Sequence, residues 1–192
     1  VTSLDKSSVS PILKQILTIT GSGFGSNPSK ITVMLVPKSD PNLYPLECFK
    51  VDGQVTDTSI QCHLSGGKSG DYAVEVTVEG QGSSKASSSG VNDITLEIIV
   101  SGVDQSSGSA EGGHLITLTG TNFSSILTDN QVIIGENKDI CFVESATPTQ
   151  IQCRTRKPQE VLSGPQDIFV FGRITEEAKC SGTCQYTFSS NN

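Results

Sequence analysis

The sequence predicts an all-β protein built from two tandem antiparallel β-sandwiches. Composition is the first observation behind this. Hydrophobic residues make up 34% of the 192 residues, charged residues 17%, and there are 19 Gly. Long stretches rich in Ala, Leu, Glu and Lys are absent, while Val, Ile and Thr recur in short runs divided by Gly, Ser, Asn and Pro. That is the composition of many short strands and turns. The second observation is an internal repeat: Val1 laid on Val100 keeps register without a gap as far as Phe24 on Phe123. The third is an even set of six Cys in which two of the spacings recur. Only two His are present to share metal ligation, so disulfides in an oxidising compartment are the better reading.

Within the repeat, Asp5 falls on Asp104, Ser7 and Ser8 on Ser106 and Ser107, and Ser10 on Ser109. Thr18, Thr20 and Gly21 fall on Thr117, Thr119 and Gly120, and the apolar Leu4, Leu17 and Ile19 on Val103, Ile116 and Leu118. Further on, with small shifts for loop length, Cys48-Phe49 matches Cys141-Phe142, Ile60-Gln61-Cys62 matches Ile151-Gln152-Cys153, and Ser69-Gly70 matches Ser163-Gly164. Each copy alternates with the two-residue period of a half-buried strand. Leu17-Thr18-Ile19-Thr20 and Ile116-Thr117-Leu118-Thr119 do so before a Gly-containing turn. Ile31, Val33 and Leu35 form one strand face, as do Val132 and Ile134. Val74, Val76 and Val78 point inward from another strand, whose counterpart Ile168-Phe169-Val170-Phe171 is more uniformly apolar. About seven short strands per copy are expected, as in a sandwich. With no Trp in the chain, the Cys…Trp…Cys core of antibody domains is not available.

The domains are assigned to residues 1–98 and 99–192. Ile94, Leu96 and Ile98 read as the last strand of the first copy, and Ile99-Val100 follows with no Gly/Ser spacer, which predicts a restrained, nearly linear pair. The chain opens at the first residue of the module and closes near where a third copy would start, so a self-contained repeat unit is expected.

The segment Gly112-Gly113-His114-Leu115-Ile116-Thr117-Leu118-Thr119-Gly120-Thr121-Asn122-Phe123, continued by Cys141 and by Ile151-Gln152-Cys153-Arg154-Thr155, resembles the IPT/TIG family. These are immunoglobulin-like modules of plexins, growth-factor receptors and adhesion proteins. The first copy departs from the pattern, with Lys14-Gln15 for the double glycine and Gly23 for Asn122, but its ungapped match to the second copy extends the resemblance over essentially the whole chain. The resemblance implies two tandem immunoglobulin-like (IPT/TIG, E-set type) β-sandwiches. It also implies disulfides within each copy, Cys48 with Cys62 and Cys141 with Cys153, since the family's extracellular members carry a pair at similar places. Without it, six Cys allow 15 connectivities. Cys180 and Cys184 have no counterpart in the first copy. They are read as a clamp at the tip of the last hairpin, against the alternatives of half a zinc site lacking two further ligands and an unpaired redox-active pair.

Asn122-Phe123-Ser124 is the only N-x-S/T sequon, because Pro28 spoils Asn27-Pro28-Ser29. Asn122 has two compatible readings, a left-handed turn residue standing where the first copy uses Gly23, and a glycan acceptor. The Ser-rich stretch 80–90 is read as a hairpin loop, not a linker. Residues 37–45 of the first copy are inserted relative to the second, and Asp40, Leu43 and Tyr44 form a candidate contact loop with Leu43 and Tyr44 as the contact pair.

Several function classes are disfavoured. The net charge of −7 and a densest basic stretch of only Arg154, Arg156 and Lys157 leave no surface for nucleic acid. No apolar run approaches the roughly 20 residues that span a bilayer, so this segment is not expected to insert in a membrane. His63 and His114 stand in no catalytic or metal-ligand spacing, and Asp71, Glu75, Glu79 and Glu176-Glu177 read as solvated charges. Asn92-Asp93 lacks the oxygen-rich run a calcium site needs. The glycines of Gly21-Ser22-Gly23-Phe24-Gly25 follow a strand with no helix to cradle phosphate. The reading is therefore a non-enzyme without cofactor or metal, secreted or on the cell surface, that self-associates or binds other extracellular proteins or glycans. A unit of a fibre, stalk or surface coat, assembling through exposed strand edges, comes first. The alternatives are a segment of an adhesion protein or receptor and an accessory module of a secreted carbohydrate-active enzyme.

Overall fold

The alternation seen in the sequence becomes strands throughout. The structure, a computed structural model, describes residues 1–12, 14–84, 89–136, 139–160, 163–173 and 176–189. It divides into two compact units, Val1–Glu97 and Ile98–Asn192. The division falls one residue before the sequence boundary, and hydrogen bonding gives the reason. The first unit's last strand ends at Leu96, and the Ile98 carbonyl accepts from the Lys179 N–H of the second unit. The Ser-rich stretch 80–90 lies partly outside the described residues, as does the short loop at residues 135–138.

The first unit contains β1 (Ser3–Leu4), β2 (Ser8–Val9), β3 (Ile16–Thr20), β4 (Ile31–Pro37), β5 (Leu46–Glu47), β6 (Phe49–Val55), β7 (Ser59–His63), β8 (Gly70–Val78), β9 (Gly82–Ser83) and β10 (Asp93–Leu96). One sheet runs β1-β3-β7-β6, the other β2-β10-β8-β4-β5, with β9 on β8. The first strand of the module is split because it changes sheets: β1 pairs antiparallel with β3, then β2 pairs parallel with β10. Leu17, Ile19, Val33, Leu35, Ile60, Val74, Val76, Ile94 and Leu96 fill the space between the sheets, each at most 2% exposed. This is the inward set that period-2 alternation marks.

The second unit contains β11 (Ile99–Val103), β12 (Ser107–Ser109), β13 (Leu115–Thr121), β14 (Gln131–Ile134), β15 (Asp139–Thr147), β16 (Gln150–Arg154), β17 (Pro165–Phe171), β18 (Lys179–Thr183) and β19 (Gln185–Ser189). Its strands form one ordered path, β12-β19-β17-β14-β15-β16-β13-β11-β18, because β15 belongs to both layers. Cys141 still pairs with Val132 of β14, whereas Phe142 already pairs with Arg154 of β16. The first unit makes the same crossing at Cys48, whose N–H donates to the Val33 carbonyl between β5 and β6.

The repeated sequence positions have repeated physical jobs. Asp5 Oδ1 accepts from the Thr18 N–H at 2.7 Å, and Asp104 Oδ1 accepts from Thr117 at 2.8 Å. The Ser10 N–H donates to Gln15 Oε1 at 3.0 Å, and the Ser109 N–H donates to His114 Nε2 at 3.0 Å, so an amide in one copy and an imidazole in the other close the same turn. Gly23 and Asn122 both hold positive φ, 75° and 65°, the latter the one non-glycine case among the described residues. That turn drives Phe24 and Phe123 into the core against Gly21 and Gly120, where an added Cβ would come within 2.3 Å and 2.4 Å of the ring.

One core exchange shows how the copies diverged. Tyr72 of β8 stands opposite Ile94 of β10, and its hydroxyl donates to the Lys68 carbonyl at 3.0 Å, a tyrosine-corner arrangement. In the second unit Gln166 stands opposite Tyr186, so the ring has moved across the ladder. Gln166 Nε2 still reaches back to the Ser163 carbonyl at 3.2 Å.

Two predictions follow from this packing. Gly120→Ala is expected to cost about 1–3 kcal/mol through overpacking against Phe123 and the Ile99 carbonyl, while Asn122→Gly leaves stability nearly unchanged; chemical denaturation checks both. Burial raises the Asp5 carboxyl, but the Lys6 ammonium and the Thr18 N–H outweigh it and hold the group below its ordinary value of 3.8. A lowered folded-state value means that the Asp5 contribution is complete above 3.8 and is lost as pH falls through the lowered value. Asp5→Asn should therefore flatten that part of the acid-unfolding curve, measured by circular dichroism.

Candidate interaction surfaces

Among the described residues no group of three or more His, Cys, Asp or Glu is placed to hold a metal ion. His114 is spent as an acceptor for a backbone N–H, and His63 lies in β7 between two exposed apolar neighbours.

The six Cys form three disulfides, Cys48–Cys62, Cys141–Cys153 and Cys180–Cys184. The first two tie each sheet crossing to the adjacent strand, β7 or β16. The third does something the sequence did not suggest. The chain turns after β17, and its return is marked by the Phe171–Glu177 bridge and the Ala178 N–H to the Val170 carbonyl. It then leaves as β18, which lies parallel to β11 on the opposite layer, and comes back at Cys184, whose carbonyl accepts from Ile168. Cys180–Cys184 therefore closes an excursion in mid-strand and does not clamp a hairpin tip. The excursion needs Gly182, since a Cβ there would sit 2.0 Å from the Ser101 carbonyl oxygen.

The sequon lies at a tight turn. Asn122 is half-buried, and the Ser124 hydroxyl is enclosed, donating to Asp129 Oδ2 at 3.1 Å and accepting from the Ile126 N–H. In the inserted loop, Asp40 Oδ1 accepts from the Asn42 N–H at 2.8 Å and so shapes the turn. The expected contact pair is divided: Leu43 packs against the core cluster and anchors the loop, whereas Tyr44 is 53% exposed. Of that pair only Tyr44 is exposed.

A surface that the sequence reading missed lies on the outward face of the four-stranded layer. Ile16, His63 and Phe49 stand in one row across β3, β7 and β6. Leu115, Arg154 and Phe142 stand in the matching row across β13, β16 and β15. All four apolar members are exposed, from 37% for Leu115 to 47% for Ile16. The central residue differs: the His63 ring lies 6.1 Å from Phe49, while Arg154 grips Glu144 through two N–H···O contacts of 2.6 and 3.0 Å. That pairing holds the Glu144 carboxyl below its ordinary value. Arg156 lies over the Phe142 ring at 4.0 Å. The signal was available in the alignment of the copies, where Ile16 falls on Leu115 and Phe49 on Phe142 outside the inward register.

Removing a disulfide tests the division of labour. Cys141→Ala with Cys153→Ala should cost about 3 kcal/mol. Cys180→Ala with Cys184→Ala should leave the global unfolding midpoint close to the parent and speed amide hydrogen exchange at residues 179–183.

Comparison with known proteins agrees with this architecture. No curated protein sequence matches the chain. Among solved structures it is similar to the plexin A4 extracellular region, at 21% identity over 97% of this chain and 18% of that one (TM-score 0.44). The chain thus spans less than a fifth of that structure. It is also similar to the glucan-utilisation protein SGBP-B of Bacteroides ovatus, solved with a mixed-linkage heptasaccharide, at 14% identity over 96% and 43% of the two chains (TM-score 0.38). InvD of Yersinia pseudotuberculosis matches at 18% identity over 98% and 57% (TM-score 0.35). The IPT/TIG domain model matches residues 1–92 and again 99–188, each with the sandwich described above. The chain belongs to the IPT/TIG domain family, as two tandem members of it.

Proposed function

We propose that the chain is a non-catalytic recognition segment of a secreted or cell-surface protein, contacting protein or glycan partners through its loops and sheet faces. Three disulfides fit an oxidising compartment. The observation that carries the reading is the contrast between interior and surface. The copies share the crossing, its disulfide, the buried Phe and the turn closures, yet differ in the residues 37–45 loop, in β18 and in the outer face of the β14–β17 layer. Surfaces that differ between copies suit selective contact.

Edge-to-edge assembly finds little support in the strand edges. In the first unit β1, β2 and β5 are two residues each, and the register of β6 on β7 breaks between Lys50 and Val55. In the second unit β18 covers β11 and is itself the edge, with its register broken between Val100 and Gly102, and β12 at the other end is three residues long. Short, irregular and covered edges are how soluble proteins avoid adding strands. One specific observation favours a coat or stalk as the second reading: the exposed apolar row is present in both copies, as a repeating contact would require.

Sedimentation velocity from micromolar to near-millimolar concentration separates the two. A monomer throughout supports recognition. Concentration-dependent association that Phe49→Ser with Phe142→Ser abolishes would overturn it in favour of assembly through the row.

A further inference from the structure

The outer face of the second unit's β14–β17 layer departs from its counterpart in a way the common fold does not require. In the first unit Met34 pairs with Glu75 and Thr32 with Thr77, giving that face a charge and hydroxyls. At the corresponding places Ile133 pairs with Phe169 and Gln131 with Phe171. Inward neighbours in both units are aliphatic, Val33, Val76, Leu35 and Val74 against Val132, Val170, Ile134 and Ile168. The inward set is of one kind in both units, so it does not account for the two phenylalanines; on the outer face Ile133, which pairs with Phe169, is 9% exposed. Both are half-buried on the outer side of the layer.

Two hollows flank β17 at this point. One, of about 540 Å³, includes Asp167, Phe169, Glu177 and Gln185 in its lining and is walled by the Cys180–Cys184 excursion. The other, of about 250 Å³, includes Glu136, Gln166, Asp167 and Phe169. Asp167 and Phe169 are common to both. Three carboxylates thus rim an aromatic floor, and the described lining residues include no Lys or Arg. Asp167 Oδ1 accepts from Gln185 Nε2 at 2.8 Å, which fixes its direction without neutralising it. No ion pair among the described residues involves Asp167, Glu136 or Glu177.

We propose that this face docks an extended basic segment of a partner protein, with Lys or Arg side chains entering the two hollows. An alkyl stem that ends in a cation fits an apolar ring beside a carboxylate better than either feature fits a purely apolar or purely ionic ligand. Two hollows on either side of one strand call for two cationic side chains on a single chain, which distinguishes a peptide from a lone amine. Charge complementarity speeds such an encounter and makes it dependent on salt. The inference rests on the recognition reading and names its partner.

The test uses the whole chain and a fluorescent decapeptide alternating Lys and Thr, with its Glu/Thr counterpart and spermine as controls. Fluorescence anisotropy should show binding of the Lys peptide that weakens at least tenfold between low and physiological salt, with the Glu peptide silent. Phe169→Glu, which installs the first unit's residue, should reduce affinity at least tenfold despite adding negative charge, and Glu136→Gln with Asp167→Asn should do the same. Unchanged unfolding midpoints show that the variants fold. Amide shifts on titration should concentrate in β14 and β17. Equal or tighter binding by Phe169→Glu, competition by spermine at the peptide's own concentration, or shifts spread over both units would overturn the proposal, as would absence of binding. A chain that stays monomeric in sedimentation yet ignores the peptide defeats this inference alone and leaves recognition standing.

Discussion

The passage of the chain from one sheet to the other at Cys48 and Cys141 is the constraint on which the rest of each unit depends. A sandwich buries its interior only if both layers are present, and the crossing is where one strand path supplies both. At that point the backbone leaves the β4 or β14 ladder and joins the β7 or β16 ladder within a single residue step. A disulfide to the next strand holds this position in both copies. Each cross-link closes a short loop and so restricts the unfolded chain at the crossing, which in the first unit is approached by the two-residue β5. With the crossing held, alternation on either side determines which residues face inward. The exposed row beside it is a consequence: Phe49 and Phe142 follow the buried Cys and must point outward.

Much of this was legible in the sequence because it is governed by short-range rules. Period-2 alternation placed Leu17, Ile19, Val33, Leu35, Val74 and Val76 in the core, where they are found. The repeat identified equivalent turns, and Asn122 for Gly23 is intelligible from backbone preference alone. What escaped depends on contacts between distant segments. The β18 excursion pairs residues 99–102 with 179–183, and nothing local to Cys180-Ser181-Gly182-Thr183-Cys184 distinguishes a mid-strand detour from a hairpin tip. Leu43 and Tyr44 are adjacent in an irregular loop with no period, so only the fold reveals that one is an anchor and the other is presented. The equivalence of Gln15 and His114 was hidden because unlike side chains supply the same acceptor: Gln15 was set against the double glycine, whereas the ungapped offset places it on His114 and Lys14 on Gly113.

The exchange of Tyr72 and Ile94 for Gln166 and Tyr186 shows what kind of divergence the interior tolerates. A close-packed core feels a change of one methylene, so a large side chain can leave β17 only if its partner on β19 fills the volume. Interior change is thus confined to compensated pairs. The outer face of the same layer is under no such requirement: Glu75 and Phe169 occupy matching positions although one is charged and the other aromatic. The Phe169 ring is half-buried where Glu75 is exposed, so the common fold accepts either side chain at that place. The interior is thus held to one pattern in both copies, while the outer face of this layer, freed from packing, is where their residues differ.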